Sequence, residues 1–212
     1  MYDGGLIFFI FLIMVKTVSF IILVFLGSMQ SAFFEVEPLE TKDSTVVFSS
    51  ESFLKIKGKT NVSSFECQFD MATISEAISI SYKDYDKRIQ FKDTKLTLPN
   101  LEFNCGGKAI NRDFNELLNT EEYPEIILKL KEISKTKIDT GLITATIEIT
   151  ISNIVRTYTI PISIANNEGL HVSGVMPLDI NDFNLIAPTK MLGMVKVSPE
   201  IEIQFSLKFK ES

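Results

Sequence analysis

GLITATIEITISNIVRTYTIPISIA, residues 141–165, decides the fold class. In its first half Ile143, Ala145, Ile147, Ile149 and Ile151 alternate with Thr144, Thr146, Glu148 and Thr150. In its second half Tyr158, Ile160, Ile162 and Ile164 alternate with Thr157, Thr159 and Ser163. A period of two with one apolar and one polar face describes a half-buried strand, and two such runs in succession predict a β-hairpin. Pro161 has no N–H to give to a ladder, so its strand should lie at a sheet edge or carry a bulge there.

The same alternation recurs outward from the hairpin. Leu54, Ile56 and Gly58 oppose Lys55 and Lys57; Phe65, Cys67 and Phe69 oppose Glu66, Gln68 and Asp70. Leu101, Phe103 and Cys105 share a face, Ile126, Leu128 and Leu130 alternate with Lys129 and Lys131, and Leu170, Val172 and Gly174 form a further run. Turn signals separate them at Gly106-Gly107, at Asp139-Thr140-Gly141 and at residues 166–169. Residues 72–81 fit helix or strand, and the charged residues 82–88 read as a loop. Many short antiparallel-looking strands predict an all-β sandwich or barrel. One stretch departs from the pattern: NRDFNELLNTEEYPEI, residues 111–126. There Phe114, Leu117 and Leu118 fall on one face of a helix expected near 111–119. Asn111 is its N-cap, Arg112, Asp113, Asn115 and Glu116 face water, and Pro124 excludes helix beyond.

That stretch also carries a resemblance. Arg112-Asp113, Leu117-Leu118 and Glu122-Tyr123-Pro124-Glu125-Ile126 resemble the most recognisable block of the YceI-like family of lipocalin-like, polyisoprenoid-binding proteins. Gly141-Leu142-Ile143, the corner from Asp179 through Asp182-Phe183-Asn184 to Leu185, and the closing Ile201-Glu202-Ile203-Gln204-Phe205-Ser206-Leu207 are similar to other parts of it. The likeness covers residues 46–210. It is nearest to a branch with a paired-cysteine pattern, here Ile56, Gly58, Thr60, Asn61, Val62, Phe65 and Cys67, then Phe103, Cys105 and Gly106. Asn153 and Asn184 stand where glycine is commoner; asparagine tolerates a left-handed turn, so the fold is not threatened. The resemblance implies an antiparallel lipocalin-like β-barrel of about eight strands that binds an isoprenoid-like lipid, such as a polyprenyl or quinone tail.

Of 212 residues, 45% are hydrophobic, which suits one globular domain with a substantial core. The net charge of −6, with no Lys/Arg block, argues against a nucleic-acid partner. Residues 1–32 read as a signal peptide. If translation starts at Met14, Lys16 supplies the charged region, residues 18–26 the apolar one and residues 27–32 a small-residue cleavage zone. A start at Met1 lengthens the apolar run toward an uncleaved membrane anchor. Residues 33–44 read as a spacer and 45–212 as the folded domain. Export to a periplasmic or extracellular space makes the even pair Cys67 and Cys105 a disulfide, the alternative being two buried thiols.

Catalytic groups are scarce. The single histidine, His171, has the opposite parity from Leu170 and Val172 and should face outward. No nucleophile elbow, metalloprotease helix, P-loop or dinucleotide fingerprint occurs. Glu121 and Glu122 read as a solvated turn, and Asp182 as an acceptor of backbone N–H groups at its corner. The expectation is therefore a non-enzymatic binder without cofactor or metal, whose partners are an apolar lipid and, transiently, a membrane. Oligomeric state is open, a dimer included. Parity names Ile143, Ala145, Ile147, Ile149, Tyr158, Ile160, Ile162, Phe205 and Leu207 as barrel lining, with residues 184–198 as a rim or portal loop. The competing expectation is a cell-envelope module whose barrel is filled by its own side chains.

Overall fold

The structure, a computed structural model, describes residues 40–138, 141–166, 169–190 and 194–211. The expected signal peptide, most of the spacer, Asp139-Thr140 and Asn167-Glu168 lie outside them. The elements in chain order are β1 (Thr41–Phe48), β2 (Phe53–Lys59), β3 (Ser64–Phe69), β4 (Ile78–Asp84), β5 (Arg88–Lys92), β6 (Lys95–Pro99) and β7 (Phe103–Asn104). Helix α1 (Lys108–Leu117) follows, then β8 (Glu125–Ser134), β9 (Ile143–Ile151), β10 (Ile154–Ala165), β11 (Leu170–Asp179), β12 (Thr189–Lys190), β13 (Val195–Lys196) and β14 (Glu200–Glu211).

Eight strands close into an antiparallel ring in the order β1-β4-β5-β8-β9-β10-β11-β14, shut by β14 returning to β1 between Val46↔Glu211 and Phe48↔Phe209. Closure leaves the ring no free edge. Two ring strands are long enough to serve two shorter partners end to end. One edge of β14 takes β2 along 202–206 and β1 along 209–211, while one edge of β8 takes β6 along 125–129 and β5 along 132–134. From β2 the sheet continues through β3 to β7. The core gathers inward side chains from all these strands, with Phe69, Phe103, Phe183, Ile149, Ile162 and Cys67 fully buried.

The central hairpin forms as its alternation requires. Every residue from Ile143 to Ile151 pairs with one from Ile162 to Ile154. Ser152 and Asn153, at φ 46° and 63°, make the two-residue turn whose twist suits a hairpin. Strand β10 is interior to the ring, yet its ladder with β11 begins only at Ile162↔Gly174. Pro161 thus sits just before the point where an N–H is needed on that side.

Four local expectations are corrected. The helix spans Lys108–Leu117 rather than 111–119, because the extended Gly107 caps it; Asn111 lies inside and turns its Oδ1 back to accept from Cys105 N (2.7 Å). Residues 82–88 are not one loop, since Tyr82–Asp84 end β4 and Arg88 opens β5, where Tyr82 pairs with Phe91. Leu101 does not share the face of Phe103 and Cys105: a 3-10 turn at Asn100–Glu102 breaks the alternation and leaves Leu101 73% exposed. The first strand starts at Thr41, inside the stretch read as spacer, because β1 needs its N-terminal half to pair with β4.

Candidate functional site

The inward parity of the ring encloses a cavity of about 320 Å³, within the range of roughly 300–1,000 Å³ common for small-molecule sites. Thr94, Lys95 and Ser198 are the only polar residues on its wall among the described residues; all the rest are aliphatic or phenylalanine apart from Met176. Helix α1 contributes Phe114 and Leu117, with Leu118 just beyond its end. The helix is fixed there by polar contacts as well as packing. Asn100 Nδ2 donates to Thr120 Oγ1 (3.1 Å), Thr120 donates to Asn115 Oδ1 (3.0 Å), and Asn115 Nδ2 donates to Asn111 O (2.8 Å). On the apolar side Phe103 packs against both Phe69 and Phe114, with ring centroids 5.0 and 5.2 Å apart.

Cys67 and Cys105 form a disulfide. The register explains the meeting. Gln68 pairs with Asn104 and Phe69 with Phe103, so the next position along this antiparallel ladder sets the cysteines opposite one another. The bridge secures β7, which pairs with β3 through two residues only, and α1 leaves from β7.

Of the positions expected to line the barrel, Ala145, Ile147, Ile149, Ile160, Ile162, Phe205 and Leu207 face the cavity. Ile143 packs against the core beside it. Tyr158 is placed elsewhere: its ring lies 6.3 Å from that of Phe183, and its hydroxyl donates to Asp182 Oδ2 at 3.0 Å. Burial, then the Asp182 hydrogen bond, push its pKa up to about 12. The corner therefore works differently from expectation, since Asp179 Oδ1 accepts the backbone N–H of Asn181 (2.9 Å) while Asp182 holds Tyr158. Missing from the expected set were Leu54, Ile56 and Phe65, whose alternation was visible, and Leu96, Leu98 and Phe114, whose exposure to a cavity was not.

Two lining phenylalanines lie over glycines on the neighbouring strand. Phe65 is paired with Gly58, and Phe205 with Gly174. A Cβ at Gly58 would stand 2.2 Å from Phe65 Cζ, and one at Gly174 would stand 2.7 Å from Phe205 Cζ. The absent side chains let both rings lie against the wall.

Lys95 is the one charged residue on the cavity wall among the described residues. Lys55 hydrogen-bonds Glu66 (2.9 Å), Lys135 meets Asp84 and Lys208 meets Glu51, and each contact holds the carboxyl below its usual range. His171 Nε2 is 2.7 Å from Ser206 Oγ, on the opposite parity from the lining Val172 and Leu207. Among the described residues no group of three or more His, Cys, Asp or Glu is placed to hold a metal. No described helix is long and apolar enough to cross a membrane.

A YceI-like domain matches residues 39–209, most of the chain. The chain belongs to the YceI-like family. Among solved structures, BcnA of Burkholderia cenocepacia is similar with a TM-score of 0.52 and 20% identity, over 74% of this YceI-like chain and 94% of BcnA. A polyisoprenoid binding domain from Saccharophagus degradans, implicated in plant cell wall breakdown, is similar with a TM-score of 0.56 and 11% identity, over 81% and 100%. Such identities establish the shared barrel and leave ligand and role to be argued from this YceI-like chain. No curated protein matches it.

Proposed function

We propose that this YceI-like protein is an exported carrier or store for a long apolar lipid of isoprenoid type, held inside the barrel. One observation carries the reading: the ring encloses about 320 Å³ of space walled by hydrocarbon. A module filled by its own side chains would close that volume, because protein interiors pack to crystal-like density. Burying a few hundred Å² of hydrocarbon at roughly 25 cal/mol per Å² yields several kcal/mol, enough to offset association costs. The isoprenoid class is supported by the family and by the description of the Saccharophagus degradans domain as polyisoprenoid binding. Export is supported by the apolar leader pattern and by the disulfide, a bond that persists in oxidising compartments. Binding without catalysis belongs to the same reading, the lone histidine being engaged with Ser206 away from the cavity.

Organic extraction of the purified protein followed by mass spectrometry should release a long-chain lipid in near-equal amount. Ala145, 4% exposed and on the cavity wall, is the position to challenge. Ala145→Asp sets a carboxylate among hydrocarbon and should abolish lipid retention, whereas Thr144→Asp, of opposite parity, should retain it. Circular dichroism establishes that both variants fold. A wild-type protein without lipid, or equal retention in the two variants, would move the assignment to the self-filled module. Sequencing the N-terminus of native material tests export, with residues 31–34 as the expected start.

A further inference from the structure

We infer that the cavity takes a lipid with an acidic end group, a phosphate or a carboxylate, and holds that end midway along the barrel wall at Thr94 and Lys95; this rests on the lipid-carrying function proposed above. Thr94 stands where β5 and β6 meet end to end along β8. Its carbonyl accepts from Leu130 N (3.2 Å), and the ladder of β8 with β9 is irregular just there, between Leu130 and Glu132. Asp93, at φ 56°, turns the chain out of β5 into this position. A bulge beside a break between strands frees the wall from its regular ladder, a recurring setting for binding residues.

Thr94 has the inward parity of Leu96 and Leu98, which line the cavity beside it. Its Oγ1 is buried and has no hydrogen-bond partner. The other hydroxyl on the wall is already engaged, since Ser198 Oγ accepts from Glu200 N (3.2 Å). A buried hydroxyl without a partner has given up its hydration for nothing, and valine would fill the same volume without that cost. An oxygen of a ligand in the cavity supplies the missing acceptor.

Lys95 selects the charge of that oxygen. It is exposed, yet it also belongs to the cavity wall, so it stands at the edge between lumen and water. Its partner in register on β8 is Lys129, which reaches Glu148 (3.5 Å), while no carboxylate of the described residues pairs with Lys95 itself. Of the charges nearby, Lys92 and Asp93 precede it and cancel, Lys131 adds a cation at the bulge, and Glu132 is engaged by Arg88 (3.6 Å). The local balance is positive in a chain of net charge −6. An anionic end is drawn to this spot, and a neutral end gains nothing from the lysine.

The test is calorimetric titration of the protein, freed of lipid by organic extraction and refolded, with three ligands of one chain: farnesol, farnesyl phosphate and farnesoic acid. At neutral pH the wild type should bind the two acids about five-fold or more tightly than the alcohol. Thr94→Val should weaken both acids about ten-fold. Without lipid that variant should be at least as stable as the wild type in urea, a result that damage to the fold would not give. Lys95→Gln should weaken the acids about three-fold, an effect that fades in high salt, and leave the alcohol unchanged. A preference for one acid over the other, with the same dependence on Thr94 and Lys95, would name the acid. Equal affinity for all three ligands, or acid binding indifferent to Thr94→Val, would overturn the acidic end group and leave lipid carriage standing. A lipid-free Thr94→Val less stable than the wild type would show the hydroxyl already satisfied and overturn the inference as well. A wild type that binds none of the three would overturn carriage along with it.

Discussion

Reducing the Cys67–Cys105 bridge is the sharpest perturbation available, because it removes one constraint while both sulfurs stay in place and no cavity is created. The two residues are separated by 38 positions. For a loop of that length, the chain entropy released in the unfolded state is about 13 cal/mol/K, or about 4 kcal/mol at room temperature. With a urea dependence of about 2 kcal/mol/M, the unfolding midpoint should fall by about 2 M, and the slope should steepen as the denatured chain expands. Parallel urea titrations with and without reductant, followed by circular dichroism, measure both. The structure adds a second expectation. Strand β7 has only a two-residue ladder to hold it once the bridge opens, and α1, which forms part of the cavity wall, hangs from β7. Hydrogen exchange at Lys108–Leu117 should therefore accelerate on reduction before the ring strands respond. An unchanged urea midpoint would refute the loop-entropy reasoning. An unchanged exchange rate in the helix would show that the amide network anchors it without the bridge.

Three further outcomes follow from the geometry. Asn100 is 1% exposed and gives its amide protons to Thr120 Oγ1 and Tyr123 O, so Asn100→Ala strands both acceptors and should cost about 2–3 kcal/mol in denaturant unfolding; a loss of a few tenths would mean that water replaces the amide. Asn184, at φ 56°, should accept Gly without loss, while Asn184→Val should cost about 1–2 kcal/mol, and equal stability of the two would contradict the left-handed assignment. Tyr158, with its pKa raised to about 12, should give a late-ionising component in ultraviolet titration, one that Tyr158→Phe removes. Because the unfolded chain gives up this proton near 10 and the folded one later, stability from this residue should be intact below pH 10. It should fall as pH rises from there toward 12, and a Tyr158→Phe variant with the same alkaline decline would sink the assignment.

The ring was legible wherever one face of a strand meets the core and the other meets water, as in Ile143 to Ile151. It was illegible where that contrast fails. Residues 88–92, RIQFK, alternate correctly, but the charged residues at 83–88 drew Tyr82 to Arg88, and with it the start of this strand, into a loop. The helix start was misplaced because Asn111 looks like a cap from sequence alone; its preference for backbone N–H groups was real, and the group it satisfies belongs to Cys105. Asp182 was assigned the capping role that Asp179 performs, since both carboxylates flank the turn and only Tyr158, far away in sequence, tells them apart. The candidate site was readable as parity along the hairpin and the closing strand. That the lining surrounds space rather than neighbours was not, because an apolar inward face looks the same in either case.

The capacity of the barrel is governed from its wall. Lining positions are usually thought to set how much a pocket holds, with larger side chains meaning a smaller cargo. Here Phe65 and Phe205 are already large, and their bulk is parked over Gly58 and Gly174. A methyl group on either glycine would press on the far edge of the ring above it, which must then tilt away from the wall. The addition of one carbon thus moves a side chain that lines the lumen. The shape of the lumen can change through two positions that do not themselves line it.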